Sequence, residues 1–127
     1  MRPRTKILSG PQLDIMKIVW RLGEATVRDV YEDLRKKRTI AYTTVMTTMK
    51  TMEARGHLKK RVEGRTFIYA PVVDEKKMLR RVVSDFIDRV FNGSTEPLLA
   101  HLVEEQRLSE KDLEEIRRMI REKERQH

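Results

Sequence analysis

Five threonines crowd into nine residues of the stretch AYTTVMTTMKTMEARG, at Thr43, Thr44, Thr47, Thr48 and Thr51. The apolar spacing around them is helical, yet threonine is a poor helix former. Its branched Cβ restricts χ1, and its hydroxyl competes for backbone partners. Projected at about 100° per residue, Thr43, Thr44, Thr47, Lys50 and Thr51 share one arc of about 120°. Val45, Met49 and Met52 take a nearly opposite sector, and Thr48 lies toward the boundary. A face of short hydroxyl and methyl groups is slim enough to sink into the major groove of double-stranded DNA, which is about 12 Å wide. There the hydroxyls bond phosphates or base edges, the methyls meet thymine methyls, and Lys50 supplies a point charge for phosphate or guanine. A polar face that is simply solvated would also tolerate threonine, but here threonine is grouped with lysine rather than with glutamate.

A second cationic group follows. In HLKKRVEGRTFIYAP, Lys59, Lys60, Arg61 and Arg65 bracket Glu63-Gly64, where β-branched and aromatic residues on both sides predict a hairpin and Pro71 its end. Lys60, Arg61 and Arg65 are expected to lie along the sugar-phosphate backbone or a narrow minor groove, as the contacts of a wing. Charge on an exposed hairpin edge also keeps sheets from aggregating, so the cluster is more telling than any member.

Both groups need a scaffold, and the preceding residues predict one. Ser9 with Gln12 has the pattern of a capping box, Pro11 sits where a missing N–H costs little, and Leu13, Met16, Val19 and Trp20 recur at helical spacing until Gly23. Thr26 with Asp29 opens a second helix carrying Val27, Val30, Tyr31 and Leu34, and the RKKR run at 35–38 gives it a cationic end. That run suits either the helix dipole or a phosphate contact. The threonine helix is third, closed by Gly56, and the hairpin comes fourth. Three helices followed by a hairpin is the chain order of a winged helix-turn-helix, mainly α with a small β-hairpin wing.

The charge distribution points to the same half. The chain of 127 residues carries a net charge of +8, with 38% charged and 39% hydrophobic residues. Residues 1–73 hold 16 Lys and Arg against 7 Asp and Glu, whereas residues 74–127 hold 12 against 13. The basic part is the one suited to a polyanion. There is no cysteine, which excludes disulfides, iron-sulfur clusters and thiolate metal sites. No apolar run behind the basic N-terminus suits a signal peptide, and nowhere do about 18 apolar residues run together as a membrane span requires. The expected setting is therefore the cytoplasm, with no membrane partner.

From Asp74 the helical period returns, and we place a domain boundary between residues 73 and 74. A wide stripe from Met78 to Phe91 ends at Asn92-Gly93. Leu98, Leu99, Leu102 and Val103 mark another helix, and Ser109 with Asp112 caps a last one, whose RRMIREKERQH end is expected to fray. Three short amphipathic helices cannot bury such wide faces alone. A dimerisation domain over 74–127 is expected, with Val82, Phe86, Val90, Leu98, Leu102, Leu113 and Ile116 between two copies. The alternative is that these helices pack back on the first domain.

The run Leu13, Met16, Val19, Trp20 with GEATVRDVYEDL, then AYTTVMTTMKTMEARGHL and GRTFIYAP, resembles the BlaI/MecI/CopY family of winged-helix repressors. The likeness runs from about Leu8 to the last helix. It implies a homodimer that binds an operator dyad, often of TACA/TGTA type, and blocks transcription. Carried over by position, recognition contacts fall at Thr43, Thr44, Thr47 and Lys50 or Thr51, and wing contacts near Arg61 and Arg65. Penicillinase-type members are inactivated by cleavage of an Asn-Phe bond in the C-terminal helices. The matching place in PLLAHLVEE is His101-Leu102, a departure that bears on induction by a regulatory protease and not on DNA binding. The copper-responsive branch carries Cys-x-Cys pairs, which a chain without cysteine lacks.

An enzyme is the least supported class. His57, His101 and His127 are far apart without ligand spacing, no Gly-rich phosphate loop follows a strand, and no nucleophile elbow is present. No cofactor and no metal are expected. The competing function is a winged-helix module whose threonine face and wing contact a protein or an RNA, since an acidic partner can use the same positive charge.

Overall fold

The computed structural model describes Leu8 and residues 10–126, and the cap expected of Ser9 lies outside the described residues. Helix α1 (Gly10–Leu22) starts with Pro11 in its first turn and buries Ile15, Met16, Ile18 and Val19. It stops at Gly23, whose φ of +83° is open to glycine and whose N–H reaches the Val19 carbonyl at 2.7 Å. Helix α2 (Val27–Leu34) has the expected capping box: the Thr26 hydroxyl accepts from the Asp29 amide, and the Asp29 carboxylate accepts from the Thr26 amide, both at 3.0 Å. Val30 and Leu34 face the core.

Helix α3 (Tyr42–Ala54) is the threonine helix, and Val45, Met49 and Met52 on its opposite side are buried completely. Gly56, with φ of +87°, lets the His57 N–H turn back to the Met52 carbonyl at 2.9 Å. Strands β1 (Leu58–Glu63) and β2 (Thr66–Pro71) then pair antiparallel, with Glu63 opposite Thr66. The two-residue turn is thus Gly64-Arg65 rather than the Glu63-Gly64 of the sequence reading. Glycine with positive φ at its first position matches the right-handed twist of the strands.

The hairpin is sewn to the helices by contacts that periodicity does not reveal. Ala25, just before α2, pairs with Tyr69 through two backbone hydrogen bonds of 2.8 and 2.9 Å, which adds a minimal third strand. Tyr69 and Leu58 are buried against the helical core. The Trp20 indole N–H donates to the Val73 carbonyl at 3.0 Å.

Helix α4 (Glu75–Phe91) moves the expected boundary. The chain divides into compact units at Val83 and Ser84, not at 73 and 74. The reason is packing: Met78, at the end of the first turn of α4, is buried in the core of the first unit, and Val82 lies against it. The second unit holds the rest of α4, α5 (Glu96–Glu104) and α6 (Glu110–Arg125). The Ser109–Asp112 capping box opens α6 as expected, with bonds of 3.1 and 2.9 Å. Helix α6 runs to Arg125. Arg118 pairs with Glu115 and, at 2.7 Å, with Glu122, which adds i,i+3 and i,i+4 support over the final turns. No described helix is long and apolar enough to cross a membrane.

Candidate nucleic-acid interface

The threonine face stands where the sequence places it. Thr43, Thr44, Thr47 and Lys50 are exposed, while Thr51 is half-buried. The crowding of hydroxyls is partly resolved by the helix itself. The Thr48 hydroxyl donates to the Thr44 carbonyl at 2.8 Å, and the Thr51 hydroxyl to the Thr47 carbonyl at 3.1 Å. Among the described residues no partner is found for the hydroxyls of Thr43, Thr44 and Thr47. Those three, with Lys50, are the groups free to bond something outside the chain. The first turn of α3 is also open: Ala41 precedes it and offers no side-chain cap, and while the Thr44 amide donates to the Ala41 carbonyl at 3.1 Å, those of Tyr42 and Thr43 are available to water or phosphate.

The wing cations do not act as one cluster. Side chains alternate across a strand, so Lys60 and Arg61 point to opposite faces. Lys60 stands on the α3 side, 3.3 Å from Glu53 and with its ammonium 4.5 Å from the centre of the Phe67 ring. Arg61 turns the other way and grips Glu24 at 3.1 and 3.3 Å and Glu63 at 2.5 Å. Arg61 therefore braces the wing against the α1–α2 connection, a role that sequence reasoning missed. Arg65 occupies the turn itself and is exposed, at the tip of the wing.

The Arg61 hydrogen bond, followed by its charge, holds the Glu24 carboxyl below the usual carboxylate range. A carboxyl so lowered contributes stability that is complete above its ordinary pKa, 4.5, and is lost as the pH falls through the lower folded value. Glu24→Gln is thus expected to melt below the parent at pH 7 and to converge with it as the pH drops through the range under 4.5. Melting curves of the pair from pH 7 downward check this, and a constant gap at every pH would remove the brace. Both groups are solvated, so the gap should be small.

A groove joins α3 to the wing. It is lined by Arg28 and Thr26 from the start of α2, by Tyr42, Met46 and Lys50 from α3, and by Arg65 and Phe67 from the hairpin. Arg28 lies over the Tyr42 ring, 5.3 Å from its centre, and Tyr42 meets Tyr31 edge to face at 5.4 Å. Neither Arg28 nor Tyr42 was marked as functional by the sequence. Their juxtaposition depends on how α2 crosses α3, which no spacing within one helix encodes.

In the second unit the expected contact residues divide by exposure. Phe86, Val90 and Leu113 are exposed, and Leu98, Leu102 and Ile116 are half-buried. Val82 belongs to the first unit, where it is partly covered by the core. No described residue from Ser84 onward is buried. His101 and Leu102 lie inside α5, where the His101 carbonyl accepts from Glu105 at 2.9 Å and the Leu102 carbonyl from Arg107 at 2.8 Å.

Residues 8–122 match the family described as penicillinase repressor. The chain belongs to that family. Its match runs from Leu8 into α6 and so spans both units. The chain is 26% identical over 115 residues to the penicillinase repressor of Bacillus licheniformis, covering 91% of this chain and 90% of that protein. It is 24% identical over 123 residues to the methicillin resistance regulatory protein MecI of Mammaliicoccus sciuri, covering 97% of this chain and all of MecI. Among solved structures it is similar to the DNA-binding domain of the repressor BlaI, with a TM-score of 0.52 and 28% identity over 58% of this chain and 90% of that one. The family resemblance stated from GEATVRDVYEDL, AYTTVMTTMKTMEARGHL and GRTFIYAP is thereby established, as is the winged-helix fold.

Proposed function

We propose that this DNA-binding transcriptional repressor acts as a homodimer on a two-fold symmetric operator, in the cytoplasm, with one α3 per half-site in the major groove. The observation that carries the readout is the exposed face of Thr43, Thr44, Thr47 and Lys50 on a helix anchored by the buried Val45, Met49 and Met52. Small hydroxyl side chains allow close approach to base edges, and Lys50 adds charge where the groove meets the backbone. Arg65 at the wing tip and Lys60 farther back on β1 would track the neighbouring phosphates. Thr51, its hydroxyl committed to the helix backbone, has its methyl to offer.

Support for the dimer comes from the second unit. Val90 is 55% exposed and Val103 56%, and no described residue there is buried. A unit with wide apolar stripes and no interior of its own completes a core by pairing with a second copy. A regulatory protease, the other partner that the resemblance implies, would have to unwind α5 before it reached the His101–Leu102 bond.

Selection of bound duplexes from a random DNA pool tests the proposal. Enrichment of a two-fold motif, with half-sites about one helical turn apart, is expected. Recovery of no motif would overturn it and favour a module that uses the basic surface for a protein or an RNA. On the selected duplex, Lys50→Ala and Thr44→Ala are each expected to weaken binding about tenfold, within the 1–3 kcal/mol typical of a lost base contact. Both residues are exposed, so circular dichroism and oligomeric state should not change. Unchanged affinity in both variants would remove the recognition face.

A further inference from the structure

We propose that Arg28 is a phosphate-backbone contact of the DNA interface, held ready for that role by the ring of Tyr42. The inference rests on the reading of α3 and the wing as a DNA-binding surface, and it extends that surface to the start of α2.

Three observations carry it. First, the groove between α3 and the wing is lined by three cations from three different elements, Arg28, Lys50 and Arg65. The one acid lining it, Asp29, has its carboxylate engaged by the Thr26 amide in the capping box. The groove is therefore positive along its length, which suits a polyanion better than a single small ion. Second, Arg28 is positioned rather than loose. Its guanidinium lies 5.3 Å from the Tyr42 ring centre, and that ring is set edge to face against Tyr31 at 5.4 Å. A guanidinium stacked on an aromatic face loses little mobility on binding, and its N–H edge stays open to a phosphate oxygen. Its ion pair with Glu32 is long, at 3.5 Å, and both side chains are well exposed, so little has to be broken. Third, Arg28 stands beside the threonine face rather than on it. It lines the same groove as Lys50 and Arg65, so a nucleic-acid backbone lying in that groove would meet it as a positioning contact that carries no sequence information.

The experiment titrates the parent protein, Arg28→Ala, Arg28→Lys, Tyr42→Phe and Tyr42→Ala against two duplexes over a range of salt concentrations. One is the duplex enriched from the random pool, and the other is a random-sequence duplex of equal length. Arg28→Ala is expected to weaken both about fivefold and to flatten the salt dependence by about one counterion per protomer. Arg28→Lys should restore the salt slope and only part of the affinity. Tyr42→Ala should weaken binding in a way that does not add to Arg28→Ala, and Tyr42→Phe, which keeps a ring under the guanidinium, should weaken it less than Tyr42→Ala. Unchanged affinity and slope in Arg28→Ala, while the parent still prefers the enriched duplex, would overturn the contact and leave the repressor reading standing. A loss confined to the enriched duplex would also overturn it, since Arg28 would then be reading bases. If the parent shows no preference, the repressor reading fails, and the slope of Arg28→Ala on random duplex still decides whether Arg28 meets phosphate.

Discussion

Phe86→Glu is expected to convert dimers into monomers and to weaken operator binding at least about 100-fold. The magnitude follows from linkage: two half-site readers joined in one particle bind the second half-site at a high effective concentration, and avidity gains of about 10²–10⁴ are typical. Phe86 is 42% exposed on α4 and its ring meets Phe91 at 5.7 Å, in a unit whose described residues are nowhere buried. A carboxylate there would be stripped of water by a partner's apolar face without a compensating charge, a cost that opposes pairing. In the monomer it would sit in solvent, so the fold should survive. Leu102→Glu on α5 should act in the same direction. Sedimentation and gel-shift assays on the two variants and on Phe86→Leu as a conservative control decide the matter. Dimers that persist in both glutamate variants would put the interface elsewhere.

Met49→Ala should cost about 3 kcal/mol of stability, the middle of the range for truncating a buried methionine, and lower the melting temperature on the order of 15 °C. Met49 is fully buried on the side of α3 opposite the threonines, beside Val45 and Met52. Its loss leaves a cavity under the recognition helix, so DNA binding should weaken on warming well before it does in the parent, although no contact residue has changed. Met49→Leu keeps the volume and should cost less than about 1.5 kcal/mol. Thermal melts of the two variants give the answer, and a drop of only a few degrees for the alanine would mean that α3 is supported from elsewhere.

The capping boxes at Thr26–Asp29 and Ser109–Asp112, the glycine stops at Gly23 and Gly56, and the division of α3 into a threonine face and a methionine face were all legible in the sequence. Each depends on residues within one or two turns of each other, where backbone geometry leaves few options. The alternation that separates Lys60 from Arg61 was legible too, but a count of charges in a cluster overlooks it.

What the tertiary structure alone decided is how elements meet. The Ala25–Tyr69 pairing, the Trp20–Val73 hydrogen bond, the assignment of Met78 to the first unit and the stacking of Arg28 on Tyr42 each join residues from separate elements. Periodicity states which face of a helix is apolar but not which neighbour covers it, because a crossing angle is set by side-chain shape on both partners at once. By itself, then, the sequence determined the order of elements, the polarity of each face and the basic character of the first half. The folded chain decided which cation is held by a carboxylate from a separate element, as Arg61 is by Glu24, and which lies over an aromatic ring, as Arg28 does over Tyr42.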